Sequence, residues 1–211
     1  MSDESSARLA QQIDRLQAQE EIRQLTAKYA LALDMRDTAA WVGLFPEDVR
    51  VGGGQVGRAA LAAWFDQTMR ERFTGTAHFT GNHIIEFDDA EHAHGVVYSR
   101  NEHEMDGEWV IMTMMYWDAY ERIDGRWLFR RRLPLYWYAT DLNKPPIGPD
   151  KMRWPDQDPY DGGWHAHWPS WQRFWDHPPE GPVDVAEPAP LGEFLARMRG
   201  DGAQELSVRV K

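Results

Sequence analysis

Three things are scarce in this sequence. It contains no cysteine, which rules out disulfides, thiolate nucleophiles, zinc–thiolate centres and iron–sulfur clusters. It contains no long apolar run, and none of its segments approaches the ~18 residues that a membrane helix needs. It is also poor in positive charge, with 23 Lys and Arg against 34 Asp and Glu and a formal net charge of −11. Such a surface repels a phosphate backbone, so nucleic acid is not an expected partner. The first residues, MSDESSARLAQQ, are polar and acidic and lack the charged-then-apolar pattern of a secretory leader. A cytoplasmic protein is the expectation.

The 211 residues suggest one ordinary domain with an appendage. Hydrophobic residues at 42% and charged residues at 27% place the chain among soluble globular proteins. Eleven tryptophans are the unusual abundance. They fit a large aromatic core with an aromatic tail, or a pocket for a large flat ligand.

Helical periodicity dominates the first third. Ile22, Leu25, Tyr29 and Leu33 recur at helical spacing, which predicts one long helix from about 8 to 35. The stretch MRDTAAWVGLF predicts a short second helix, with Asp37 or Thr38 as N-cap and Pro46 helping to stop it. DVRV reads as a short strand, and GRAALAAWFDQTMRERF as a third helix with Leu61, Trp64, Phe65 and Met69 on one side. Strands follow at approximately 76–87, 91–103, 109–122 and 126–139. Two of the separators, EMDGE and RIDGR, carry Asp-Gly, a strong hairpin signal. Helices first and an antiparallel meander after them predict an α+β fold.

From residue 141 the composition shifts to a Pro- and Gly-rich segment without period, which nevertheless holds Trp154, Trp164, Trp168, Trp171 and Trp175. Disordered segments are poor in aromatics. The expected division is therefore a domain over 1–140 and an arm over 141–211 that packs on the domain or on a neighbouring subunit, with PLGEFLARMRG as a last short helix. The arm is expected to cover the open end of a pocket with at least one tryptophan near the ligand, or else to staple subunits together.

The stretch TGTAHFTGN puts His78, Thr80 and Asn82 on one parity of a strand. That face meets either water or a polar enclosed cavity. Asp34 lies at the margin of the apolar stripe of the first helix, beside Ala27 and Ala30, which leave space. It reads as a solvated helix-end acid or as a partner for a buried group. A carboxylate bound to one ring nitrogen of His78 would fix its tautomer and make the other nitrogen a general base. His78 alone reads equally as a histidine bonded within a strand. Tyr29 is a candidate donor to a substrate oxygen, and Asn82 a candidate ligand-orienting amide. Trp41, Phe45, Trp64 and Met112 are candidate pocket walls, as are Met114, Tyr116 and Trp137, and all could serve as plain core. An alternative base is a strand carboxylate such as Asp118, with Tyr29 as donor, in the manner of a ketosteroid-type isomerase.

The segments YALALDMRDTAAWVGLFPEDVRV, TAHFTGNHIIEF and MMYWDAYERIDGRWLFRRR, in this order and spacing, resemble the SnoaL-like branch of the nuclear transport factor 2-like (NTF2-like) superfamily. They are similar in particular to the group holding scytalone dehydratase and hexachlorocyclohexane dehydrochlorinase. The resemblance covers residues from about 10 to 140. It implies a cone of three helices closed by a strongly curved, mostly antiparallel sheet, with a cavity between them. It also implies that Asp34 and His78 form a catalytic dyad, and that Arg131, at a basic position common in the family, clamps an anion or phenolate.

Two motifs are set aside. GGGQVG, residues 52–57, satisfies a dinucleotide-binding pattern, but that fold needs repeated βαβ units and a meander follows here. HAH occurs at 92–94 and 165–167 without an obvious third metal ligand. No metal and no cofactor are expected. The resulting expectation is a lyase that removes a proton and expels a leaving group from a bulky aromatic small molecule. Sphingomonad diarylpropane lyases, which release formaldehyde from lignin-derived diols, are one relative of this kind. The alternatives are a dehydratase, an isomerase, or a non-catalytic ligand-binding domain. Trp117, Phe129 and Leu133 on one parity, and Tyr116, Tyr120 and Tyr136 on the other, put bulk on both sheet faces and predict a homo-oligomer, a dimer or trimer.

Overall fold

The computed structural model describes residues 3–178, 180–182 and 194–195. Helix α1 spans Asp3–Asp34, α2 Thr38–Val42 and α3 Arg58–Arg72. Strands β1 (Gly75–Phe87), β2 (His92–Met105), β3 (Glu108–Ile123) and β4 (Arg126–Asp141) follow, and α4 spans Pro169–Asp176. The sheet order is β1-β2-β3-β4, with every neighbouring pair antiparallel.

The local reasons are visible in the sequence. The first half of α1 is rich in Ala, Gln, Leu and Arg, which favour helix at little entropic cost, and the helix begins five residues before the apolar stripe suggests. Asp37 caps α2 by accepting from the Ala40 amide at 2.9 Å. Both Asp-Gly pairs make the expected hairpins. Asp106 and Gly107 have φ of 51° and 75°, and Asp124 and Gly125 have 50° and 74°. Two positive φ values in succession are what a two-residue turn requires for its twist to match the flanking strands. DVRV is not a strand: only an isolated bridge joins Arg50 to Val56, closing the glycine-rich loop.

The sheet is curved by three register shifts. One lies in β1 between Thr80 and His83, where two residues face Tyr98 alone. Two lie along β4, where Trp137 and Arg130 are the extra residues. Each bulge bends its strand and shifts its side-chain alternation by one position. Leu25, Leu33, Trp41, Phe45, Phe65 and Phe129 form the main core on the inner face, between helices and sheet.

The outer face belongs to the arm. Val96, Met115, Trp117 and Leu135 are buried there with Trp164 and Leu195. Trp117 stacks on Trp168 at 5.3 Å and 12°, and Trp137 on Trp164 at 5.4 Å and 7°. The approach is close enough that a Cβ on Gly162 would lie 2.2 Å from the Trp137 carbonyl oxygen. Residues 151–153 bond to both polar groups of Ala139, which covers part of the open edge of β4. The arm therefore buries most of the outer-face bulk within one chain. Phe129 lies on the inner face, because the bulge at Arg130 separates its parity from that of Leu133. The expected short helix over 190–200 lies outside the described residues except for Phe194 and Leu195.

Trp164→Ala removes a buried indole from this stack. We expect a loss of about 3 kcal/mol in denaturant unfolding, as for other large-to-small core changes. A loss below about 0.5 kcal/mol would show that the arm is not docked on the sheet in solution.

Candidate active site

Asp34 ends α1 and reaches across to β1. Its carboxylate accepts from the Thr76 hydroxyl at 2.9 Å and from the His78 amide at 2.8 Å, and its Oδ1 lies 2.7 Å from His78 Nδ1. Arg36, just past the helix end, donates to the Thr76 hydroxyl at 2.7 Å and to the Leu33 carbonyl at 2.9 Å, which locks the junction from behind. Burial alone would raise the Asp34 pKa, but the bonds from the His78 ring and amide outweigh it and hold the carboxyl below its ordinary value. With Nδ1 engaged, Nε2 is the free nitrogen of a ring that lines a cavity.

That cavity has a volume of about 380 Å³ and lies between the three helices and the inner face of the sheet. Of the residues expected from sequence, Tyr29, Trp41, Phe45 and Trp64 line it from the helical side, together with His78. Met112, Met114 and Tyr116 line it from β3. Asp34 does not line it and acts through His78.

Two expectations, Asn82 and Trp137, are corrected, each beside a bulge. Asn82 is exposed and does not line the cavity: the irregularity at Gly81–Asn82 carries His83 inward instead, to 3.0 Å from the Tyr120 hydroxyl. Arg131 contributes to the lining but is exposed, while Arg132 is the buried guanidinium in the wall. Trp137 turns to the outer face and Tyr136 takes its place in the cavity. Sequence reasoning also missed Asn101, which is fully buried, lines the cavity, and accepts from the Ser99 hydroxyl at 2.5 Å. The alternation Ser99–Asn101–His103 along β2 was the available signal.

Arg132 packs its guanidinium against three rings, 3.8 Å from the centroid of Tyr116, 4.2 Å from Tyr29 and 4.5 Å from Phe129. Behind it, Asp118 Oδ1 lies 3.2 Å from Arg132 Nε, near enough for an ion pair but off the line of a directed hydrogen bond. The Tyr120 hydroxyl donates to the other Asp118 oxygen at 2.9 Å. Burial pushes the Asp118 carboxyl up to about 6, against the pull of Arg132 and Tyr120. Asp118 is outside the cavity lining and fully buried, so it is not placed to act as the alternative base.

Burial raises the pKa of Tyr29, Tyr116 and Tyr136, so all three line the cavity as neutral phenols. His103 stands edge-on to His78 at 5.6 Å; burial, and then His78 itself, push it down to about 3, so it is neutral. Trp154 of the arm stacks edge-on against His103 at 5.5 Å, but no residue beyond Tyr136 lines the cavity among those described. The described arm is therefore no lid over its own cavity. Neither HAH motif gathers ligands: among the described residues no group of three or more His, Cys, Asp or Glu is placed to hold a metal ion.

A helix-capped, curved antiparallel sheet with a cavity between helices and sheet is the architecture of the NTF2-like superfamily. The chain belongs to the SnoaL-like domain family, whose sequence profile matches residues 14–133. Among solved structures, a protein provisionally described as a scytalone dehydratase, from Novosphingobium aromaticivorans DSM 12444, is 26% identical with a TM-score of 0.55, over 65% of this chain and 97% of that one. The hexachlorocyclohexane dehydrochlorinase LinA-type3 from Novosphingobium barchaimii LL02 is 22% identical with a TM-score of 0.58, over 65% of this chain and 99% of that one. No curated protein sequence matches. No helix among the described residues is long and apolar enough to cross a membrane.

The depressed Asp34 pKa sets a pH signature. A carboxyl whose folded pKa lies below its unfolded one adds stability above the ordinary value of 3.8 and loses it as pH falls through the folded pKa. The stability gap between the protein and Asp34→Asn should be full at pH 7 and narrow steadily below about pH 4. An equal gap at pH 7 and pH 3 would contradict the hydrogen-bonding pattern around Asp34.

Proposed function

We propose that this chain is a cofactor-independent lyase acting on a bulky aromatic small molecule, with His78 as the general base and Asp34 as the group that orients it. The observation that carries this reading is the 2.7 Å contact from Asp34 Oδ1 to His78 Nδ1 in a ring that lines the cavity. The similar dehydratase-type and dehydrochlorinase structures support elimination chemistry over isomerisation. The buried and paired state of Asp118 also weighs against the isomerase alternative.

The specific reaction we propose is loss of formaldehyde from a lignin-derived 1,2-diarylpropane-1,3-diol. His78 Nε2 takes the proton of the primary alcohol. The alcohol oxygen becomes the carbonyl oxygen of formaldehyde as the adjacent carbon–carbon bond breaks. That electron pair forms the new carbon–carbon double bond and expels the neighbouring hydroxyl, which takes up a proton and leaves as water. The products are a stilbene, formaldehyde and water. Tyr29 donates to the departing oxygen in this scheme, and Trp41, Phe45 and Trp64 pack the aryl rings.

His78→Ala should lower turnover by about 10³-fold or more, the scale of a lost general base in an enclosed site, while aryl ligands still bind. A binding module would instead lose affinity alone. Purified protein should release formaldehyde and develop a stilbene absorbance with the diol; the absence of both refutes the specific reaction, and conversion with loss of water alone identifies a dehydratase.

We also propose a homo-oligomer. The sheet's outer face is largely covered by the arm, so the apolar surface comes from elsewhere: Leu9, Ile13 and Leu16 on α1, and Trp171, Phe174 and Trp175 on α4, are exposed. Sedimentation at micromolar concentration should show a dimer or trimer, and a monomer there would refute it.

A further inference from the structure

The candidate base is one of two neighbouring imidazoles. His103 on β2 stands edge-on to His78, with 5.6 Å between ring centroids. The two rings have opposite surroundings. His78 is held by a carboxylate through Nδ1. His103 is buried among rings, with Phe73 at 4.8 Å and Trp154 at 5.5 Å, and its Nδ1 finds no hydrogen-bond partner among the described residues. A proton on that nitrogen would be a buried donor without an acceptor, on a ring without a paired carboxylate. Burial, and then the neighbouring His78, push His103 down to about 3. The other charges around it offset one another. Asp34 and Arg36 act on it with opposite sign, and Arg72, packed over Phe73 and Trp154, is paired with Asp156 at 3.1 Å.

One wall of this dry site comes from the arm, beyond the family match that ends at residue 133. Trp154 is placed by backbone bonds on either side of Ala139: the Ala139 amide donates to the Lys151 carbonyl at 3.0 Å, and the Arg153 amide to the Ala139 carbonyl at 2.7 Å. Trp164 and Trp168 lie on the outer sheet face, but Met152 and Trp154 pack with Met112, Met114 and Tyr116, the β3 residues of the cavity wall. Trp154 itself is not part of the cavity lining. On the reading of His78 as the general base, we propose that Trp154 is a positioning residue for the active site: with Phe73 it keeps water from His103, so that of the two imidazoles only His78 takes up the substrate proton. The arm acts on the chemistry from behind the second histidine, not as a lid. Without the indole, water reaches His103 and stabilises its charged form. A charged His103 opposes the imidazolium that proton transfer creates on His78, and the base weakens. At a pH where both rings are neutral the penalty disappears.

The test uses the full chain with isotope-labelled histidine, each ring followed by NMR from about pH 5 to pH 8 and His103 assigned by the loss of its signals in His103→Gln. In the unaltered protein His103 should stay neutral over this range. In Trp154→Ala a titration midpoint should appear above about pH 5, moving toward the ordinary value of 6.5. Trp154→Phe, which restores a ring, should remove that midpoint again. Trp164→Ala, which loosens the arm on the outer face, should leave His103 neutral. If Trp154→Ala does not fold, Trp154→Val leaves a smaller gap and is read by the same criterion. Turnover of a 1,2-diarylpropane-1,3-diol gives the second readout. The kcat loss of Trp154→Ala should be about tenfold larger at pH 6 than at pH 8, with KM little changed. A merely structural role would lower kcat by the same factor at both. The proposal is overturned if His103 charges in the unaltered protein, if it stays neutral in the Trp154 variant, if Trp164→Ala has the same effect on it, or if the kcat loss does not depend on pH. Failure of the lyase reading looks different: the unaltered protein converts no diol, and the histidine titrations alone then decide the role of Trp154.

Discussion

A four-stranded sheet encloses a cavity only if it bends. Here the bending comes from three places where one strand carries a residue that its neighbour does not match, at Gly81–Asn82, Arg130 and Trp137. An unmatched residue breaks the ladder locally, kinks the strand and increases its twist. The inner surface so formed receives the ends of α1, α2 and α3, and the space they leave unfilled is the cavity. Everything of chemical interest lies on that inner surface, and the arm occupies the outer one.

The junction between α1 and β1 serves stability and chemistry with the same atoms. Burying a carboxylate is costly unless it is hydrogen-bonded. Asp34 meets that cost with the Thr76 hydroxyl, the His78 amide and the His78 ring. The first two bonds fasten the helix end to the strand, and the third sets the orientation of the imidazole. Asp118 and Arg132 are a different kind of pair. Both side chains are buried, one contact joins them, and three aromatic rings pack against the guanidinium. Buried ion pairs are weak sources of stability.

The tryptophans answer to both explanations of their abundance. Trp41 and Trp64 stack at 6.1 Å on the helical side of the cavity. Trp117, Trp137, Trp164 and Trp168 instead laminate the outer sheet face in two stacked pairs. The second group holds the arm to the domain and leaves α4 with an exposed aromatic side.

Element order, the amphipathic helices, the capping Asp37 and both Asp-Gly hairpins were legible in the sequence, because each is dictated by residues a few positions apart. The pairing of Asp34 with His78 was legible through family resemblance, since they stand 44 residues apart and no local pattern joins them. Which residues face the cavity beyond a bulge was not legible. Alternation counted from His78 leads to Asn82, and Trp137 was expected in the wall from the last strand. The structure instead turns His83 toward Tyr120 and puts Tyr136 in the cavity wall. A bulge is set by the register of two strands and by the bend that the helices require, and neither leaves a mark in the strand's own composition. The place of the arm was decided in the same way: its tryptophans showed that it would bury itself, and only the tertiary fold, by leaving an apolar outer face uncovered, decided where.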